Sequence, residues 1–174
     1  MKKMLLLLFV GALNLTALQA QESNKTAGFV KDKMVFDVQG LVSTGSKTHL
    51  TQSMDLGLML TKGLYAFAKY ENSWLLYKEN GDRLYCSSNA LGGGLGYRCF
   101  YNEEYKMSLD ARLAMGKSIG SKTMDYTLYD ASLHFRLGGK IFVPTVGLGF
   151  RHENMHTIGL SNQNYMYLSF GIGL

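Results

Sequence analysis

Along residues 34 to 174, apolar side chains fall on every second position. The final segment shows it plainly: Met166, Leu168, Phe170, Ile172 and Leu174 alternate with Tyr165, Tyr167, Ser169, Gly171 and Gly173. The same period recurs in Met54/Leu56/Leu58/Leu60, in Met107/Leu109/Ala111/Leu113/Met115 and in Tyr129/Ala131/Leu133/Phe135/Leu137. Successive side chains of a strand point to opposite faces, so a period of two predicts strands and not helices. The opposite face carries charge, hydroxyl or glycine, which predicts a sheet with one apolar and one polar side.

Turn residues divide this pattern into eight predicted strands, at 34 to 42, 51 to 61, 63 to 72, 89 to 101, 106 to 117, 125 to 137, 140 to 151 and 164 to 174. The connections alternate in length. Those at Thr61 to Gly63, Asn102 to Tyr105 and Gly138 to Lys140 are short, and those at Ser43 to Leu50, Ser73 to Ser88, Lys117 to Met124 and His152 to Gln163 are long. Short turns on one rim and long loops on the other are the signature of a transmembrane barrel. The fold class expected is therefore all-β, an eight-stranded antiparallel transmembrane β-barrel connected as an up-and-down meander. In the first short turn, equal counting from Lys62 puts Leu60 and Leu64 on the same outward face, gives Gly63 a left-handed backbone and sets Asp55 opposite Lys69. Counting from Ser121 likewise sets Arg112 opposite Asp130.

A soluble barrel would show the same period with its apolar residues inside, so the facing needs a separate argument. The polar face holds Gly92, Gly94, Gly96, Gly147, Gly149, Gly171 and Gly173. That many missing side chains suit the narrow interior of an eight-stranded barrel, whereas a water-facing surface has no need of them. The polar face also balances its charges, with Asp37, Asp55, Glu71, Asp110 and Asp130 against Lys69, Arg98, Arg112, Arg136 and Arg151. Buried charges must be paired, because an isolated one costs several kcal/mol, on the order of 3–5 when a partner is removed. These ten residues form the expected interior charge network, with the apolar face turned to lipid.

Residues 1–20 are a separate object. Lys2 and Lys3 precede the apolar run from Met4 to Leu13, and the small Ala20 closes the segment, the layout of a cleaved secretory signal. A polar stretch at 21–33 reads as a flexible lead-in to the barrel at 34–174. No later segment supplies the 18 or so uninterrupted apolar residues of a transmembrane helix, so membrane insertion must rely on strands. Losing the leader leaves 16 basic residues against 13 acids and lowers the formal charge from +5 to +3. That excess is too small and too dispersed for a nucleic-acid partner.

Tyr70 and Trp74 near the loop end of the third strand, and Tyr97 and Tyr101 near the turn end of the fourth, outline two interfacial aromatic belts. Pro144 is expected at a bulge or near a strand start, since a barrel has no free edge to excuse it. Cys86 falls in the second long loop and Cys99 near the short-turn end of the fourth strand, about thirteen residues away at roughly 3.3 Å per residue, too far apart for a disulfide. The Gly92-Gly93-Gly94-Leu95-Gly96 run lacks the Lys-Ser/Thr of a phosphate loop and fits interior crowding instead.

With Phe170, Ile172 and Leu174 at its alternating apolar positions, the last strand resembles the C-terminal signal read by the barrel-assembly machinery. The chain as a whole resembles the small eight-stranded outer-membrane β-barrels of the OmpA and OmpX type, a porin-like family of double-membraned bacteria. It has leucine where the family's last residue is usually phenylalanine. No peptidoglycan-binding domain follows the barrel, so a cell-wall anchor is not implied. The resemblance implies localisation in the bacterial outer membrane, with outer-membrane lipids and lipopolysaccharide as surroundings and the assembly machinery as a transient partner.

His152, Glu153, His156 and Ser161 are the candidate catalytic group, because outer-membrane lipid A deacylases also carry a histidine and a serine late in the chain beside an acid. The closely spaced His-x-Ser of those enzymes is absent, and a polar external loop explains these residues. Two histidines and one glutamate are also weak grounds for a metal site. The expectation is a structural or surface-interaction barrel with no catalytic, cofactor-binding or metal residues and no open pore. The alternatives are a lipid A modifying hydrolase and a narrow channel for small solutes.

Overall fold

The computed structural model describes residues 34–44, 48–79, 82–120, 124–138, 142–158 and 160–173. The expected leader at 1–20 and lead-in at 21–33 lie outside these residues, as does Leu174. Eight antiparallel strands close into one barrel in sequence order: β1 (Met34–Thr44), β2 (Thr48–Met59), β3 (Leu64–Glu79), β4 (Asp82–Asn102), β5 (Met107–Ile119), β6 (Tyr126–Arg136), β7 (Val143–Met155) and β8 (Gln163–Gly173). The meander is the one the alternation predicts.

Register fixes the barrel's shape. From Gly173 the cross-strand partners run Asp37, Asp55, Lys69, Gly92, Gly116, Leu128, Glu153 and Gln163, which returns to β8 ten residues from the start. With eight strands, that offset inclines each strand by about 40° to the barrel axis.

The facing is settled by burial. Leu58 is 58% exposed, Leu113 66% and Phe170 58%, whereas Asp37, Asp110 and Arg151 are 0% exposed. Apolar side chains point out and charged ones point in, the reverse of a soluble ligand-binding barrel. The alternation is strict enough that the burial pattern of β2 reads exposed, buried, exposed, buried along its length.

Seven of the inward glycines owe their place to space. Each stands directly across from a larger inward residue: Gly92 from Lys69, Gly94 from Phe67, Gly96 from Tyr65, Gly147 from Ser169, Gly149 from Tyr167, Gly171 from Gln39 and Gly173 from Asp37. A Cβ on Gly96 or Gly149 would land on the opposing tyrosine ring, and one on Gly94 would lie 2.8 Å from Phe67 Cζ. Pairing large against absent side chains lets eight strands close on a filled interior.

The Thr61 to Gly63 turn behaves as the count from Lys62 requires, with Met59 paired to Tyr65 and Asp55 to Lys69. The Leu60 and Thr61 amides both donate to the Leu64 carbonyl, and Gly63 has a φ of +145°, positive as expected but beyond the compact left-handed helical region. Pro144 is the second residue of β7, near the strand start.

Four expectations need correction. Arg112 does not face Asp130: its partner is Ser132, and Asp130 faces Ala114, because the β5–β6 connection centres at position 122 and not 121. That step of one in the centre moves the pairing by two, which keeps both charges inward but gives them different partners. The described residues of 73–88 are not a loop but the continuation of β3 and β4, whose ladder runs to Glu79 opposite Asp82. Its Ser, Asn and Tyr content masked an alternation that continues beyond the apolar zone. Likewise Ser43 and Thr44 belong to β1 and Thr48, His49 and Leu50 to β2, and β7 runs to Met155, which places His152 and Glu153 in the sheet. A bulge between Arg98 and Phe100, unforeseen in the sequence, turns Phe100 outward at 52% exposure.

Candidate functional site

The interior of the barrel carries the protein's concentrated chemistry. It is arranged as two arginine-centred clusters and a third polar group toward the long-loop end.

The lower cluster surrounds Arg112, projected by β5 and 3% exposed. Its Nη1 donates to Asp55 Oδ2 at 3.1 Å, its Nη2 to Asp37, and its Nε to the Tyr65 hydroxyl at 2.7 Å. Tyr65 in turn donates to Asp110 Oδ2 at 3.2 Å. Arg136 donates to the other oxygen of Asp37 and lies 3.8 Å from Asp110, while Arg98 Nε donates to Asp110 Oδ1 at 3.3 Å. The Arg112 guanidinium also lies 5.5 Å from the Tyr65 ring centroid and 5.6 Å from that of Phe67. Six strands contribute to this cluster, so its hydrogen bonds cross-link the wall of the barrel.

The upper cluster surrounds Arg151 of β7. It grips Glu71 with two nitrogens, at 3.0 and 2.7 Å, and Asp130 Oδ2 with Nε and Nη2, at 3.0 and 2.8 Å. Lys69 Nζ lies 3.2 Å from Glu71, and Tyr167 donates to Asp130 Oδ1 at 2.9 Å. A guanidinium bonded to carboxylates on two sides is the geometry in which a desolvated charge is best compensated.

All ten expected network residues face the interior side of the wall. The partner assignment differs from the expected pair: Asp55 and Lys69 face each other in register, yet Asp55 is held by Arg112 and Lys69 by Glu71. Long side chains reach along the barrel to the best acceptor, not to the nearest Cα.

Sequence reasoning missed His49 and His134, and read Glu153 as part of an external loop. Glu153 is fully buried near the end of β7, accepting from the Tyr165 hydroxyl at 2.5 Å, with His49 Nδ1 3.9 Å from its other oxygen. His49 stacks on Tyr165 at 4.2 Å between centroids and bonds Gln163 at 2.7 Å. His134 is 3% exposed and bonds Ser132 at 2.9 Å. Carrying the alternation of β7 from Arg151 to Glu153, and of β6 from Asp130 to Arg136, was the signal that could have found two of the three.

Above the upper cluster, Leu75, Ala90, Met124, Tyr126, Leu128 and Met155 form a buried apolar group inside the barrel. Val35, Tyr65, Phe67 and Ala114 form another around Arg112, whose guanidinium lies over the Tyr65 and Phe67 rings.

The His152, Glu153, His156 and Ser161 group is not brought together. His152 and Glu153 are successive residues of β7 and point to opposite faces, His152 Nδ1 bonding Asn164 at 2.7 Å on the outside. His156 bonds the Thr127 hydroxyl at 3.0 Å. A serine activated by a histidine that a carboxylate orients is absent among the described residues. Cys86 and Cys99 form no disulfide, being at opposite ends of the long β4 ladder.

No family model and no curated protein matches the chain. Among solved structures, the crystal structure of the N-terminal β-barrel domain of Pseudomonas aeruginosa OprF is similar, at 12% identity and a TM-score of 0.40, covering 82% of this chain and 98% of that one. The class of fold stands on the chain's own geometry: a closed eight-stranded antiparallel meander with its polar face inside.

Proposed function

We propose that the protein is an integral outer-membrane barrel with a structural or surface-interaction role and a filled, non-conducting interior. The observation that carries this reading is the facing: an apolar outer wall around an inward network of paired charges. In water, that arrangement would expose a belt of leucine and phenylalanine and bury charges at a cost; in a bilayer, both faces are matched to their surroundings. The side chains that meet across the lumen, Arg112 with Asp37 and Asp55 and Arg151 with Glu71 and Asp130, leave little room for a solute path. The surrounding partners are outer-membrane lipids and lipopolysaccharide, with the assembly machinery acting during insertion.

The long-loop rim supports a contact role. The β2–β3 ladder ends at Thr48 opposite Leu76, and the β4–β5 ladder at Asn89 opposite Ile119, whereas β3 and β4 continue together to Glu79 and Asp82. This two-stranded arm rises past the rest of the wall, where it is available to a partner outside the cell. The test is fractionation of the expressed chain combined with electrophoresis before and after boiling, followed by reconstitution into a planar bilayer. The reading expects membrane localisation, a band that shifts on boiling because the closed ladder resists unheated detergent, and no steady conductance. Recovery of the whole population in a soluble fraction would refute it, and a reproducible open-channel current would refute the filled interior.

A further inference from the structure

Each arginine-centred cluster is neutral by itself. In the lower one Asp37, Asp55 and Asp110 are matched by Arg98, Arg112 and Arg136, and in the upper one Glu71 and Asp130 by Lys69 and Arg151. Glu153 is the acid left over. It is fully buried, and the guanidinium two residues before it is committed elsewhere, every nitrogen of Arg151 bonding Glu71 or Asp130. Tyr165 donates to Glu153 Oε1 at 2.5 Å. Among the described residues, the one base within ion-pair distance of Glu153 is His49, whose Nδ1 lies 3.9 Å from Oε2. The other titratable groups that face this pair are Arg151 on β7, Tyr165 on β8, Tyr126 and Asp130 on β6 and Glu71 on β3, while β1 presents the uncharged Ser43 opposite His49.

The pair sits where the wall loses a backbone seam. The β1–β8 ladder ends at Ser43 opposite Tyr167, but β8 continues along β7 to Gln163. Above Tyr167, His49 joins β8 to the β1–β2 hairpin through its side chain, stacking on Tyr165 at 4.2 Å and bonding Gln163 Oε1 through Nε2 at 2.7 Å. A carboxamide oxygen only accepts, so Nε2 carries a hydrogen and the second proton of a charged ring goes to Nδ1, the atom that faces Glu153. We propose that His49 and Glu153 hold one proton between them and form a pH-sensitive latch on this seam. With the proton, the pair is neutral overall, like the two clusters beneath it, and the rim is closed. Without it, Glu153 is a buried carboxylate with no counter-charge, beside the further acids Glu71 and Asp130, and such a charge must be hydrated. Water reaches it where no backbone ladder has to break, by parting β8 from the β1–β2 hairpin. The latch goes beyond the filled interior proposed above, giving that interior a rim that opens as pH rises.

The test uses the full chain in lipid vesicles, with Cys86 and Cys99 replaced by serine and nitroxide labels at Leu50→Cys on β2 and Met166→Cys on β8, outward positions on either side of the seam. Their separation is measured by pulsed electron resonance between about pH 5 and pH 8, the range in which histidine changes charge. In the otherwise unaltered chain the separation is expected to lengthen and broaden as pH rises. In Glu153→Gln, which removes the leftover acid, it is expected to stay short throughout. The proton itself is read from the imidazole nuclear resonances of His49 in histidine-labelled protein. One transition is expected there, coincident with the change in separation, and moved by about one pH unit or more in Glu153→Gln, the size of effect an opposite charge has at this distance. A variant that loses the band shift on boiling has not folded. The decision then rests on the resonances of the unaltered chain and on His49→Phe, which keeps a ring against Tyr165 but holds no proton and must abolish or move the change in separation. A separation that ignores pH, the same response in Glu153→Gln, or a response to added sodium in place of pH would overturn the proposal. A conducting or soluble barrel would refute the reading above without deciding the latch, which the His49 resonances test by themselves.

Discussion

Replacing Arg151 by methionine removes the centre of the upper cluster while keeping an unbranched side chain of similar reach. The perturbation strips four hydrogen bonds, two from Glu71 and two from Asp130, at a site that is fully buried. Breaking a buried ion pair by deleting one partner costs about 3–5 kcal/mol, because the remaining charge is left desolvated. Here Glu71 keeps Lys69 at 3.2 Å and Asp130 keeps the Tyr167 hydroxyl at 2.9 Å, so neither acid is wholly abandoned. The expected loss is therefore near the middle of that range, about 4 kcal/mol. Adding Asp130→Leu removes the acid that suffers most, and the double variant should recover part of the loss. The assay is urea unfolding of refolded protein in lipid vesicles, followed by the boiling-dependent band shift. A loss below about 1 kcal/mol for Arg151→Met, or strictly additive losses in the cycle, would show that the cluster does not hold the wall together.

Other consequences are simpler to check. Leu113→Arg, on the outward face of β5, should cost about 2–4 kcal/mol and lower the folded yield in membranes, whereas equal accumulation with wild type would contradict the facing. Gly149→Ala drives a methyl into the Tyr167 ring and should cost about 1–3 kcal/mol in the same unfolding assay, with Tyr167→Ser relieving part of it. Lys106 has a φ of +51° in the β4–β5 turn, so Lys106→Gly should raise the unfolding free energy by about 0.5–1 kcal/mol, and a fall would show that the turn is not strained.

The barrel was legible because its two faces differ so sharply: residues such as Leu58 and Asp55 declare their sides without knowledge of their neighbours. Register across the three-residue Thr61 to Gly63 turn was legible too, since so short a connection leaves one solution. Across the longer β5–β6 connection nothing local fixes the centre, and Arg112 was set opposite Asp130 when it belongs opposite Ser132. Strand ends were obscured where the wall leaves the apolar zone. There the outward positions become polar as well, as at Ser87 and Asn89 or His152 and Asn154, and the contrast that marks a strand disappears. Ion-pair partners were the least legible feature. An arginine reaches several Cα positions along the lumen, so facing alone says that Asp55 is inward but not that Arg112 holds it.

The most direct test places nitroxide labels one at a time along β2 in lipid vesicles and measures collision with oxygen, which concentrates in hydrocarbon, and with a nickel chelate, which stays in water. Labels at Met54, Leu56 and Leu58 should meet oxygen and not nickel, while labels at Thr51 and Ser53 should be shielded from both by the packed interior. Nickel access at Thr51 and Ser53 would reveal a water-filled lumen, and oxygen maxima there in place of Met54, Leu56 and Leu58 would reverse the barrel.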